Sequence, residues 1–492
     1  MYIHIRFIIN SYRGDFMDVY KDFKFKDDEI PKYVQIANFI KALIDKRKIK
    51  DGDKLPAIRA LSEKMGVNNS TIVSAYNKLK AEGYAYQKVG SGSYAKRKEV
   101  VSSFRREYSN TLKKLSMKDL TDVVDFTGET TAEVLFPIDD LKQIINEVLE
   151  RDGANALLSD NRNGYTNLIY TINKVFWNSK LNNEDVIIVS GAQQGIDIAS
   201  KGILNINDNI IVEKPTYAGA LSVFKWRKVN LFEVAIEEDG VNLDKFEKIL
   251  QKNEIRCFYT MSYFQNPTGI SYSLKKKKRI LELAEIYDFY IIEDDYLSEL
   301  IYENSIEYIP FKMLDKKDRV IYIKSFSKIF LPGIRLGYLV APKIFRETLQ
   351  NSKHNTDITT SSLMQRALEL YIAGEKWKEN IRNLNNEYIK RYTHMKDLLN
   401  KDFSDMLIYK EPKGGLNFYI TLKENFSINT TELFMRLRKR NVYITPGAMF
   451  FTSQDDGQDS FRISFYQTSI EKIEKGLEIL KEELTYTLLF RD

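Results

Sequence analysis

From about Val123 onward, short apolar runs alternate with amphipathic stretches, and that alternation narrows the fold more than any other feature. Val186 to Val189, Ile210 to Val212, Cys257 to Met261, Phe289 to Ile292 and Val320 to Ile323 each read as a buried strand. Strands separated by helical patterns predict an α/β sheet, which binds ligands beyond the carboxyl ends of its strands. The residues with useful chemistry fall at or shortly after those ends.

Ser325-Phe326-Ser327-Lys328 follows the last of these runs, and Arg335 lies seven residues beyond the lysine. A lysine amine forms a Schiff base with an aldehyde, and hydroxyls with a guanidinium clamp a phosphate. Pyridoxal 5′-phosphate carries both groups. Taken alone, Lys328 would read as a surface lysine, so its company decides. Ser190-Gly191-Ala192-Gln193-Gln194-Gly195 opens a helix after the first strand, where backbone N–H groups can meet a phosphate. Tyr217 could stack on a pyridine ring, and Asn266 could set an amide against the coenzyme's phenolic oxygen. Asp294, in Glu293-Asp294-Asp295-Tyr296, could pair with the pyridine nitrogen, and Tyr296 could donate to the phenolic oxygen.

With 492 residues there is room for two or three domains. No apolar run approaches the roughly eighteen residues of a membrane span, so no membrane contact is expected. A single cysteine, Cys257, excludes disulfides within the chain and fits a reducing cytoplasm. His4, His354 and His394 are too scattered to join it in a metal site. Residues 1–28 form an N-terminal extension. Arg13 to Phe16 could be encoded by a stretch resembling a ribosome-binding site, so Met17 is an alternative start and residues 1–16 need not be native.

Charge concentrates in residues 29–98, with fifteen Lys+Arg against six Asp+Glu, a net of +9 where the whole chain is +6. Such a basic unit suits a polyanionic partner. Ile36, Phe39, Ile40, Leu43 and Ile44 recur at helical spacing between Pro31 and Lys48. Leu55-Pro56 opens a second helix running to about Met65. Asn68, Asn69, Ser70 and Thr71 offer caps to a third, Thr71 to Glu82, with Ile72, Val73, Ala75, Tyr76 and Leu79 as its apolar positions. Tyr84 to Tyr94 reads as a hairpin tipped by Gly90-Ser91-Gly92. Three helices and a hairpin make an α+β winged helix-turn-helix, whose third helix would enter a major groove.

Pro31, Tyr33, Gly52-Asp53-Lys54-Leu55-Pro56, Arg59, Leu61, Gly66-Val67, Ala75-Tyr76, Leu79, Glu82-Gly83 and Gly90-Ser91-Gly92 occur in the order of the GntR-family DNA-binding domain, which this unit resembles. The resemblance implies a double-stranded DNA operator as partner and Arg59 on a phosphate or base. Ser70 and Thr71 would stand at the recognition-helix start, with the backbone around Gly90 in the minor groove. Asn69 stands where relatives often carry a basic residue, and asparagine pairs better with adenine than with guanine.

Residues 99–122 are polar and basic and read as a linker, helical in part around Leu112 to Met117. Residues 123–492 resemble the fold-type I aminotransferases, which implies an α/β domain with a small C-terminal subdomain. Gly414-Gly415 and Pro446-Gly447 match turns of that subdomain. Carried over, Lys328 bears the coenzyme, Asp294 pairs with its nitrogen, Asn266 and Tyr296 hold its phenolic oxygen, and Tyr217 stacks on its ring. Ala192, Gln193, Ser325, Ser327 and Arg335 take its phosphate, and Arg462 grips a substrate carboxylate. Three positions depart from the pattern: no tyrosine in Leu157 to Gly164, Asn417 in place of a frequent histidine, and Gly219 with no second arginine. A GntR-type winged helix joined to such a domain resembles the MocR subfamily of bacterial transcription regulators. That resemblance implies a cytoplasmic homodimer in which an amino-compound effector acts through the coenzyme on DNA binding. The alternative is an active aminotransferase with an accessory DNA-binding domain.

Overall fold

A computed structural model describes residues 19, 20, 23, 25, 30–45, 48, 49, 52–82, 84–88, 91–96, 103–115, 122–128, 135, 137–158, 161–302, 307–327, 332–424, 426, 428–453 and 455–489. Lys328, Gly90 and residues 1–16 with the alternative start Met17 lie outside the described residues. The chain divides into two compact units, Met1–Asn110 and Thr111–Asp492.

In the first unit, α1 (Lys32–Asp45), α2 (Ile58–Met65) and α3 (Asn69–Ala81) precede an antiparallel hairpin of β1 (Ala85–Lys88) and β2 (Gly92–Ala95). Ile36, Ile40, Ile44, Leu61, Ile72 and Leu79 fill its core. Gly66 closes α2 at φ +63°, a left-handed conformation that costs glycine nothing. Two boundaries differ from expectation. α2 starts at Ile58 because Lys54 and Leu55 are drawn to the wing: Lys54 bridges to Tyr94, and the Leu55 N–H donates to the Ser93 carbonyl at 2.9 Å. α3 starts at Asn69, so Asn69 and Ser70 belong to its first turn and Asn68 is the N-cap.

The segment expected as a linker carries a helix, Ser103–Leu115, longer and earlier than the stretch around Leu112 to Met117. Tyr108 and Leu115, two turns apart, are buried. Two apolar residues in a basic run are too few for the sequence pattern to register.

In the second unit, β3 (Val124–Asp125) pairs with a strand near the C-terminus. Eight strands then form the main sheet: β4 (Val186–Val189), β5 (Asn209–Lys214), β6 (Asn230–Glu237), β7 (Gly240–Val241), β8 (Cys257–Thr260), β9 (Tyr290–Asp295), β10 (Val320–Ser325) and β11 (Gly337–Val340). Their order is β4-β11-β10-β9-β8-β5-β6-β7. From β10 through β6 neighbours run parallel, while β11 and β7 are antiparallel to theirs. β6 and β11 were not expected: β6 is half-exposed, and β11, only four residues long, follows Arg335 after a single residue.

Side chains alternate across the strands. Ile210 and Val212 pack with the helix Ala192–Ile203 on one face, whereas Ile211 packs with Phe246 and Leu283 on the other. β12 (Leu407–Tyr409), β13 (Asn417–Leu422), β15 (Thr445–Pro446) and β16 (Ser460–Ser464) make a smaller antiparallel sheet, and β14 (Val442–Tyr443) is the partner of β3. Among the described residues no helix is long and apolar enough to cross a membrane.

Candidate cofactor site and DNA-binding face

A cavity of about 160 Å³ lies where β4, β5, β8, β9 and β10 end. Ala192, Gln193, Tyr217, Asn266, Asp294, Tyr296, Ser325, Ser327, Arg335 and Arg462 all line it. The five strands that the sequence pattern singled out therefore converge on one place.

One end is built for an anion. Gly191 caps the helix Ala192–Ile203 at φ +83°, and a Cβ there would stand 3.1 Å from Arg335 Nη2 and 3.5 Å from Ser327 Oγ. Only glycine lets the helix start come so close to that guanidinium. Arg335 donates to Ser327 Oγ and to the Ser190 carbonyl, both at 3.5 Å, bonds long enough to yield to a charged acceptor. The Ser327 N–H donates to Ser325 Oγ at 3.2 Å. Unpaired helix N–H groups, two hydroxyls and an arginine suit a phosphate.

The other end is a buried carboxylate. Strand alternation turns Asp294 into the cavity and its two neighbours to the opposite face. There Glu293 accepts from the Phe311 and Lys312 N–H groups, and Asp295 accepts from the Tyr322 hydroxyl at 2.6 Å. Asp294 Oδ2 accepts from the Tyr259 hydroxyl at 2.8 Å, while Oδ1 is buried without a hydrogen-bond partner among the described residues. An orphaned buried oxygen of this kind asks for a donor. A protonated pyridine nitrogen supplies one, so the phosphate cradle and the orphaned oxygen together fit pyridoxal 5′-phosphate.

Burial pushes the Asp294 carboxyl up to about 7, the Tyr259 bond offsetting only part of the effect. Burial also lifts Glu213, at the end of β5, to about 7, although it accepts from Thr260, Gln265, Tyr272 and the Met261 N–H. Both raised carboxyls bind protons in the folded state that the unfolded chain, near pH 4, has released. Stability of the coenzyme-free protein should therefore fall as pH rises from 5.5 to 7.5, by roughly 2 kcal/mol per carboxyl across that window. Lys277, lowered by burial to about 8, titrates above that window. Melting temperatures of wild type and Asp294→Asn check this: a flat or rising wild-type profile contradicts it, and the substitution should flatten the slope.

Gln265 ties the loop after β8 to Glu213 and to the Pro215 carbonyl, at 2.9 and 2.7 Å. The loop carries Asn266, whose amide oxygen accepts from Arg462 Nη1 at 2.8 Å, so its NH₂ is the end left to donate. Arg462 also donates to the Thr127 carbonyl and, at 3.4 Å, to Thr445 Oγ1. Tyr296 donates to the Phe264 carbonyl at 3.2 Å, and Tyr217 to Gln193 Oε1 at 3.2 Å. Gly219 has a steric reason to lack a side chain, since a Cβ would lie 2.5 Å from the Tyr217 ring. Asn417 is a cavity residue, beside Gly128, Leu416 and Tyr466. Sequence reasoning missed Tyr259, read only as part of an apolar strand. Its signal was a buried phenol that needs a partner.

In the first unit, Asn69 and Ser70 are exposed and Thr71 half-buried at the start of α3, and the Arg59 side chain is 87% exposed, 3.6 Å from Glu63. Asn69 Oδ1 accepts from Ser62 Oγ at 2.6 Å. Val73, one of the expected apolar positions of this helix, is 39% exposed. With Ser70, Ser74 and Asn77 it forms an outward face at helical spacing, and these last two residues were also missed.

The profile of the family "Aminotransferase class I and II" matches residues 130–480, and that of "Bacterial regulatory proteins, gntR family" matches residues 32–94. The chain is 31% identical over 382 residues to aromatic-amino-acid aminotransferase 1 of Thermococcus litoralis, covering 75% of this chain and 91% of that one. It is 27% identical over 471 residues to the uncharacterized HTH-type transcriptional regulator YdfD of Bacillus subtilis, covering 92% and 96%. The crystal structure of LysN, an alpha-aminoadipate aminotransferase from Thermus thermophilus complexed with N-(5′-phosphopyridoxyl)-L-leucine, superposes with a TM-score of 0.70 at 27% identity, over 77% of this chain and 95% of LysN. The chain belongs to the aminotransferase class I and II family, and the gntR-type winged helix ahead of that domain gives it the architecture of the MocR subfamily.

Proposed function

We propose that this chain is a transcription regulator that binds double-stranded DNA through its winged helix and senses a small amino compound with pyridoxal 5′-phosphate. The observation that carries the reading is the union, in one chain, of a gntR-type winged helix and a cavity holding an anion cradle and an orphaned buried carboxylate. Bound there, the coenzyme supplies an aldehyde that condenses reversibly with primary amines. The helix start at Ala192 and Gln193, with Ser325, Ser327 and Arg335, holds the phosphate. Asp294 keeps a proton on the ring nitrogen, Asn266 and Tyr296 hold the phenolic oxygen, and Tyr217 offers its ring face. Lys328 contributes the amine that an effector displaces, and Arg462 receives an effector carboxylate. The protein acts as a cytoplasmic homodimer. An effector shifts its DNA-binding state only through unequal affinity for two conformations.

A second reading, an aminotransferase with an accessory DNA-binding domain, draws on the 31% identity to an aromatic-amino-acid aminotransferase. Two measurements on the full-length holoprotein decide. Binding to DNA upstream of its own or a neighbouring gene should be sequence-specific, weaken steeply with salt, and change when amino compounds are added. The regulator reading fails if binding ignores both sequence and amines while a keto acid is aminated over many turnovers.

A further inference from the structure

Along α3 of the winged helix, residues 69–77 contain no lysine or arginine. The helix's two lysines, Lys78 and Lys80, fall in its last turn. There Lys78 pairs with Glu82 at 2.6 Å, and Lys80 donates to Gln87 of β1 at 3.4 Å. Arg59 and Lys88, both exposed, belong to α2 and to the wing. Contacts from such cations to phosphates position a protein on a duplex, whereas sequence is read by side chains that reach the base edges. On α3 the outward residues ahead of Lys78 include Ser70, Val73, Ser74 and Asn77, at helical spacing.

Val73 is the apolar member of that face, 39% exposed. Helix propensity gives no reason for it, because a β-branched side chain is restricted in a helix and an exposed position gains little packing in return. The major groove supplies one. Thymine alone among the four bases presents a methyl group there, while guanine presents two acceptors that arginine or lysine reads best. A face with a valine and without a cation matches the first and not the second. We propose that Val73 is a specificity-determining residue that selects a T·A pair by packing its methyl groups on the thymine 5-methyl. The inference rests on the reading of this unit as an operator-binding winged helix with α3 in the major groove.

Selection from random-sequence DNA with the full-length holoprotein supplies the operator. Replacing its thymines one at a time by deoxyuridine then removes the methyl and leaves every hydrogen-bonding group of the base in place. Wild type should lose about fourfold in affinity at one thymine of the half-site, the worth of a single methyl withdrawn from apolar contact. Val73→Ala and Val73→Ser both delete the γ-methyls at an exposed position, where the fold tolerates the change. Each should bind the thymine and deoxyuridine operators equally at that position and stay sequence-specific elsewhere. The proposal is overturned if wild type is indifferent to deoxyuridine at every thymine, or if both variants keep the wild-type penalty. In those two cases the recovered consensus leaves the operator-binding reading standing. A selection that yields no consensus removes both together.

Discussion

Lys328→Ala is expected to abolish the visible absorbance of the covalently linked coenzyme and, with it, every response to amines, while affinity for operator DNA stays close to wild type. The effect is all-or-none because none of the described residues lining the cavity is an amine: Ser325, Ser327 and Arg335 bring hydroxyls and a guanidinium, and Lys324 belongs to the opposite face of the sheet. The phosphate cradle is untouched, so the variant should still bind the coenzyme, as a freely exchangeable ligand. Spectra before and after dialysis, beside a DNA titration, read both outcomes. Retained absorbance after dialysis would refute the assignment of Lys328, and lost DNA binding would point to a structural role instead.

Asp294→Ala should weaken coenzyme binding by about 100-fold or more. Removing one partner of a buried ion pair costs on the order of 3–5 kcal/mol, and about 1.4 kcal/mol is a factor of ten. The same substitution should leave the coenzyme-free protein at least as stable at pH 7.5, because it deletes a carboxylate whose Oδ1 is buried and unpaired. These opposite signs separate a ligand-holding role from a folding role. Titration of apoprotein with the coenzyme, paired with a melting curve, measures both, and an unchanged dissociation constant would eliminate Asp294 as the ring-nitrogen partner.

The parts of this molecule that could be read in advance are those written in local pattern. Apolar runs of three to five residues marked the strands of the site, and Gly191, Asn266, Asp294 and Ser325 could be placed because chemistry follows shortly after a strand ends or within its last residues. The winged helix was legible because helical spacing, glycine stops and a glycine-tipped hairpin follow one another within seventy residues. What escaped depends on partners distant in sequence. Tyr259 meets Asp294 across neighbouring strands, Asn69 accepts from Ser62 on another helix, and Lys324 finds Asp295 through the sheet register. Val73 misled because a β-branched residue at a helical position looks like core until the face is seen. The half-exposed β6 misled for the converse reason, its side chains too mixed to announce a strand.

Arg462 holds the Thr127 carbonyl and the Asn266 amide with the same guanidinium. Thr127 lies two residues after β3, and β3 is the first strand among the described residues beyond the helix Ser103–Leu115. A ligand carboxylate drawing the guanidinium toward itself would have to outcompete a backbone carbonyl of that strand's continuation. An amine without a carboxylate would fill the cavity and leave the tether intact. If the proposed sensing role holds, amino acids and plain amines would differ in whether they break that tether.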